Sequence, residues 1–530
     1  MKKYFNDLSK LLKENIRDYG MFIALGVIFL IFAIANSNFI SPRNLSNLLN
    51  QTGYIAILSI GVTLVIVIRH IDLSIGYVSG FIGAIAATLM MSYGVPPLLA
   101  IFLVMIVGLI IGLWHGFLVA FMKMPAFVAT LAGMLIFRGA LLRVTQGTGT
   151  IVINNDFFNN ISNGYMPDFV EGSGYFYIAL TIAVVVWLMY GLSTIRNQAF
   201  LKHEETKPSP VNLSVKILLS GFVVAVIPFL VVWLTDLNDT SRYIMTLITG
   251  LLATGLFVYS ETTNKQFKQK HDLNSPTKKA FTTKVGIGVL FIMGIPAILP
   301  VLPDILNALP GSPEYHIVSL LVGFVAVAFY IYSDLRNYRI KKNYGFEVLS
   351  PYMLLTKIIF ISLMIMSVAV ILASHRGIPW TLIILGTIVA IYHFLTNFTI
   401  LGRYIYAVGG NPQAAELSGI SVKMVTMFVF GSMGVLSAVS GVLFASRMQS
   451  ASPTAGTLFE LQAIAGAFVG GVSASGGVGK IIGSVIGALV MASLSNGMQL
   501  LGINISIQYI VQGLVLVAAV IFDIRTRKNA

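Results

Sequence analysis

The chain contains no cysteine in 530 residues, so disulfides and thiolate metal sites are excluded, although this does not fix the compartment. Charge is nearly as scarce. Asp, Glu, Lys and Arg make up 10% of residues, against roughly a quarter in a soluble domain. Enzyme signatures are missing too. There is no Gly-x-Ser-x-Gly elbow, no His-Glu-x-x-His and no His cluster with metal-ligand spacing. The Gly-rich run ending Gly479-Lys480 fails as a phosphate loop, because Ala474 stands at the first Gly position and Ile481 replaces the Ser or Thr that would hold magnesium. The chain therefore has no ATP site of that kind, and no cofactor is expected.

What is abundant is apolar surface, at 56% of residues. No soluble core hides so much, whereas many membrane spans require it. The fold class expected is an all-α polytopic membrane protein. The net charge of +14 could suggest nucleic acid, but Lys and Arg fall between apolar runs in alternate loops rather than on one face or tail. That is the positive-inside bias of an inner-membrane protein. Lys2, Lys3, Lys10, Lys13 and Arg17 precede the run Met21–Ala35, which reads as an uncleaved first span rather than a signal peptide.

Windows of about 20 apolar residues place candidate spans near 21–36, 52–69, 74–92, 97–121, 126–145, 175–194, 212–235 and 243–260. Others fall near 284–303, 315–333, 353–373, 380–399, 422–446, 457–473, 480–500 and 507–523. Such an even number, sixteen or so, puts both termini on one side, and the Lys and Arg distribution makes that side cytoplasmic. The longest loop expected outside, Gln146–Gly174, has five Asn and no Lys or Arg. It reads either as a solvated surface or as a landing surface for an external solute-binding partner.

A hairpin repeat with a period of roughly seventy residues is discernible in the units opening at Tyr177, Met245, Ile317 and Ile383. Its simplest account is duplication of a helical hairpin. The organisation expected is a first permease half over 1–200, extra hairpins over 201–350, and a second half over 351–530. Hairpins added in pairs of spans leave the orientation downstream unchanged.

Ionisable groups within spans are costly and are functional candidates by default. Arg69-His70-Ile71-Asp72-Leu73-Ser74 falls where one span breaks and another begins, the way transporters build midplane sites. Asp72 and Ser74 together match sugar hydroxyls as acceptor and donor. Equally, Asp72 reads as a cap on the helix that follows. Arg138 and Arg143 read as snorkelling residues, His115 and His393 as satisfied core histidines, and Glu460 as an acidic residue favoured at a helix start. Between Gly402 and Gly479, a small-residue segment with few charges separates long apolar runs. Its first part reads as a short interfacial helix on the cytoplasmic side, where a soluble partner can push on the membrane part.

Several blocks carry a family likeness. They are Ile71–Gly76, Pro125–Met134, Gly402-Arg403-Tyr404 through Gly419-Ile420, Glu460–Gly479 and Ala492–Met498. On these blocks the chain resembles the permease subunits of bacterial monosaccharide ABC importers, and most of all their xylose-type branch. The resemblance covers about 40–200 and 345–525. It implies a type II ABC importer fold, a permease homodimer, cytoplasmic ABC ATPase subunits and an external solute-binding protein. It also implies a monosaccharide substrate, a pentose such as xylose, with ATP hydrolysed on the partner. Carried over, the coupling segment is Gly410, Asn411, Ala414, Ala415, Ser418 and Gly419, and the substrate path would include Asp72, Ser74, Phe127, Thr130 and Asn496. His115 and Gln462 depart from the Asn and Asp common in relatives, and 205–345 exceeds the usual length. The rival readings are a permease for nucleosides or another small polar solute, and a proton-driven secondary transporter using Asp72 or His393.

Overall fold

The computed structural model describes residues 16–146, 149–166, 239–270, 317–345 and 351–528, with short runs and single positions between 180 and 292. Helices come first in the order α1 (Ile16–Ala35), α2 (Pro42–Val67), α3 (Ile75–Met91), α4 (Pro97–Ala120) and α5 (Ala126–Val144). A two-residue strand β1 (Ile151–Val152) and the short helix α6 (Asp156–Asn163) follow. Next come α7 (Asp239–Lys270), α8 (Ile317–Asn343), α9 (Pro351–Ala373), α10 (Trp380–Phe398), α11 (Ile400–Gly410) and α12 (Pro412–Leu417). The chain closes with α13 (Val422–Met448), strand β2 (Ser450–Ala451), α14 (Phe459–Val469), α15 (Ile481–Leu500) and α16 (Ile505–Lys528). Among the described residues, nine helices are long and apolar enough to cross a membrane. Of the expected spans, 212–235 is described only at 219–228, 284–303 only at three positions and 175–194 only in part, so the repeat units built on them lie largely outside the described residues.

Residues 1–166, 348–357 and 378–530 form one unit, and residues 167–347 and 358–377 another. In the second unit, Ala183, Val186, Val224, Ala253 and Ile292 make a small apolar cluster, and α8 meets α9 where Gly323 faces Ala369.

In the first unit α2 is the central rod. Ser41 caps it, accepting from Asn44 N–H at 3.3 Å, and Pro42 occupies the first turn, where its missing N–H costs nothing. From Ile55 to Ile68 every residue is buried, so this helix is apolar all round, as a helix enclosed by others must be. Its few hydroxyls reach across to neighbours. Ser59 Oγ donates to Ile55 O within the helix and to Ala463 O on α14, both at 3.1 Å, and Thr63 pairs with Ser484 on α15. Interhelical bonds of this kind are worth about 1 kcal/mol in a bilayer.

The long helix α13 lies against α4 through small residues. A Cβ on Gly112 would sit 3.0 Å from the Cα atoms of both Gly431 and Gly434, and one on Gly434 would sit 2.8 Å from the Cα of Gly112. Gly108 and Gly116 continue the stripe at four-residue intervals along α4. Lipid tails offer no hydrophobic drive for helix association, so close backbone approach supplies dispersion instead.

At its C-terminal end α13 holds α6. Ser446 Oγ donates to Phe158 O at 2.7 Å and accepts from Ser162 N–H at 2.9 Å. Asn163 Nδ2 donates to Ser446 O at 2.8 Å, and Asn50 Nδ2 on α2 donates to Ser162 O at 2.7 Å. Residues 151–163 of the expected loop are thus a strand and a capped helix rather than unpatterned chain. β1 pairs antiparallel with β2, Ile151 opposite Ala451 and Val152 opposite Ser450, and Asn155 caps α6 by accepting from Phe158 N–H at 3.0 Å.

One expected span takes a different form. Instead of crossing over 457–473, the chain re-enters the bundle after β2 and forms only the 11-residue α14. At 1.5 Å per residue that is about 16 Å, half the hydrocarbon thickness. Leu458 in the left-handed region (φ 64°) opens it and Gly471 (φ 85°) follows its end. Hydropathy registers the apolar content of this stretch and not the two reversals that shorten the helix.

Candidate functional site

Two places in the first unit concentrate the residues singled out by sequence: the break between α2 and α3, and the elbow between α10 and α13.

At the break, α2 ends in a Schellman arrangement. Arg69 N–H donates to Ile66 O at 2.8 Å and His70 N–H to Val65 O at 3.0 Å, with Arg69 itself left-handed (φ 66°). Non-helical backbone then runs to Ser74, which is tolerated at membrane depth only inside protein. Asp72 Oδ1 accepts from Ser74 N–H at 2.9 Å and from Ser74 Oγ at 2.6 Å, and both residues are buried. The cap expected of Asp72 takes another form: Ser74 stands at the N-cap of α3 without a side-chain bond to the helix, and Asp72 holds Ser74 instead. Thr130 on α5 lies against the same segment; its hydroxyl donates to Ala126 O at 2.9 Å and approaches Ile71 O at 3.3 Å.

Of the five path residues, the structure brings Asp72, Ser74 and Thr130 together. Phe127 is largely exposed on α5. Asn496 on α15 lies elsewhere, in a reciprocal amide pair with Asn44 at 2.9 and 3.1 Å. From sequence, Glu460 is expected only as an acidic residue favoured at a helix start. Here it stands in the first turn of α14, buried, with Oε2 unpartnered and facing Gly76 near the start of α3. The starts of α3 and α14 meet at that carboxyl group. His115 is enclosed too, ringed by Trp114, Phe137 and Gly133. The span breaks that bring these groups together leave only a faint sequence signal.

The elbow is built from caps. Thr399 accepts from Gly402 N–H at 3.1 Å and starts α11. Asn411 accepts from Ala414 N–H at 3.1 Å and starts α12, with Pro412 at its first position. Ser418 Oγ donates to Ala414 O at 2.8 Å, and Gly419 (φ 82°) reverses the chain. Ser421 then caps α13, accepting from Met424 N–H at 3.4 Å. All six residues of the expected coupling segment therefore lie on this elbow, Gly410 as the last residue of α11. They differ in exposure. Ala414 is exposed, Ala415 is buried, and the large apolar Leu417 is 91% exposed.

Helices of membrane-spanning length, a re-entrant half-helix, a broken span with buried polar groups, and a projecting elbow define a multi-pass membrane permease. The family described as branched-chain amino acid transport system / permease component matches residues 44–195 and 195–520, and the chain belongs to that family. The chain is 29% identical to the xylose transport system permease protein XylH of Haemophilus influenzae, over 98% of its own length and 99% of the relative's. To the XylH protein of Escherichia coli K12 it is 28% identical over 97% of the chain and 94% of the relative. The ribose import permease protein RbsC of Escherichia coli K12 is 43% identical over 147 residues, 28% of this chain and 46% of that one. No solved structure matches the chain.

Proposed function

We propose that this chain is the membrane permease of an ATP-driven importer for a monosaccharide, a pentose such as xylose. The carrying observation is the match to xylose permeases along essentially the whole chain, including the long middle segment. Ribose is the second reading, favoured by the higher identity of the shorter ribose-permease match.

The partners are two cytoplasmic ABC ATPase subunits and an external solute-binding protein, with the permease acting as a homodimer. The elbow supports this reading, because its caps make α12 a short rigid knob and its exposed Ala414 and Leu417 give a partner something to grip. Movement of that knob swings α13, whose 27 residues reach from the elbow to Ser446 and α6. Such rigid-body motion is the usual currency of alternating access. Asp72, Ser74 and Thr130 form a lightly polar stretch of the path, with specificity residing mostly in the binding protein. The basic loops place both termini in the cytoplasm, and residues 201–350 act as added scaffold.

The test is uptake into liposomes holding the permease with its ATPase and binding protein. Xylose accumulation that needs ATP is the expected result. Accumulation without the ATPase would point to a secondary transporter, and preference for ribose over xylose would move the substrate.

A further inference from the structure

The Arg69 junction has no role in the function described so far. Arg69 closes α2 in a left-handed conformation, a place glycine fills without strain and other residues fill at a cost of about 1–2 kcal/mol. Its side chain turns away from its own helix end. Nε donates to Gly409 O at 2.7 Å, and Nη2 donates to Gly410 O. These are last-turn carbonyls of α11, directly before the Asn411 cap, where the helix dipole attracts a cation. The surroundings are shaped around this contact. Gly477 N–H donates to Val67 O at 2.8 Å, and Gly409 lies against Val67 O and Gly477 with no room for a side chain. Gly476 leaves space for the Arg69 stem, and Tyr406 Oη donates to Gly479 O at 2.6 Å. The end of α2, the end of α11 and the Gly-rich loop 470–479 thus meet at one guanidinium.

We infer that Arg69 is a positioning residue that ties the α11–α12 elbow to the broken segment carrying Asp72 and Ser74, so that motion of the elbow moves the path. Two residues separate Arg69 from Asp72, and two separate Gly409 from Pro412, the first residue of α12. The link joins the two places by the shortest covalent routes the chain offers. It rests on the transport reading for its purpose and on geometry for its existence.

The discriminating variant is R69G. Glycine keeps the helix-ending conformation and removes its strain, so a role confined to ending α2 predicts a protein at least as stable and as active as the parent. The absence of cysteine permits spin labels at Ile71→Cys and Leu417→Cys, both on exposed residues. With Arg69 in place the expected distance distribution is a single narrow peak. In R69G it broadens while thermal stability in detergent is retained, and in R69K, which supplies one point-like donor group in place of a fork, it is intermediate. In the complex with ATPase and binding protein, solute imported per ATP hydrolysed falls about tenfold in R69G and recovers in part in R69K. An unchanged width together with unchanged solute per ATP in R69G would overturn the inference. Should the parental complex import nothing, the transport reading falls, and the label distance alone decides whether Arg69 holds the elbow.

Discussion

The sharpest stability prediction concerns Gly112, at the centre of the α4–α13 contact. In Gly112→Ala the new Cβ would lie 3.0 Å from two backbone Cα atoms and closer still to Phe430 O. Carbon atoms sit comfortably at about 3.5–4.0 Å, so the helices must part by roughly 0.5–1 Å along this face. No flexible side chain end is available to yield, because the nearest atoms are backbone. Overpacking of this kind costs about 1–3 kcal/mol, offset by up to about 1 kcal/mol of helix propensity gained on replacing glycine. A net loss of about 1–2 kcal/mol corresponds to a factor of about 5–30 in the folded-to-unfolded ratio. Gly139 on α5 is the control, since a Cβ there meets nothing within 4 Å. Thermal unfolding in detergent, followed by retention of the monodisperse peak on size exclusion, reads both. Gly112→Ala should lower the transition and Gly139→Ala should leave it unchanged or raise it. Equal behaviour of the two variants would refute the claim that backbone proximity holds this pair of helices.

Two further tests use the same preparations. Asn44→Ala or Asn496→Ala alone strands a partly buried amide and should each cost about 1–3 kcal/mol, whereas the double variant should cost less than the sum; additive losses on denaturation would show that the pair does not interact. Ala414→Asp should insert and fold normally yet abolish association with the ATPase in a pull-down, while Ala415→Asp, which buries a carboxylate, should lower stability as well; normal ATPase association with Ala414→Asp would remove α12 as the docking knob.

Much of this architecture was legible in the residues because its causes are local. Helix existence follows from apolar length, and the elbow follows from Thr399, Asn411, Pro412, Ser418, Gly419 and Ser421, each of a type that begins or ends helices. What hydropathy missed is non-local. The 457–473 window is apolar enough for a span, but its length is cut by backbone reversals at Leu458 and Gly471 that no average records. Asp72 and Ser74 were visible as a polar break, and the placement of Thr130 against Ile71 beside them depends on how α5 folds back. Asn496 looked like a free polar group for a solute until Asn44, 452 positions away, was found to satisfy it. Arg69 gave the weakest signal, since a basic residue at a span end is expected under any topology, and only the left-handed backbone with two distant carbonyl acceptors distinguishes it.

The paired strands β1 and β2 have a mechanical consequence. Between Ala451 and Phe459 the chain is gathered into successive tight turns, closed by Ala455 N–H to Ser452 O, Thr457 N–H to Thr454 O and Phe459 N–H to Gly456 O. This is a short coiled leash, pinned at one end to Ile151 and at the other to the turn of α14 that bears Glu460. Prising Ile151 away from Ala451 frees the upper pin, so a hand laid on the surface strand holds the string of a carboxyl group deep inside.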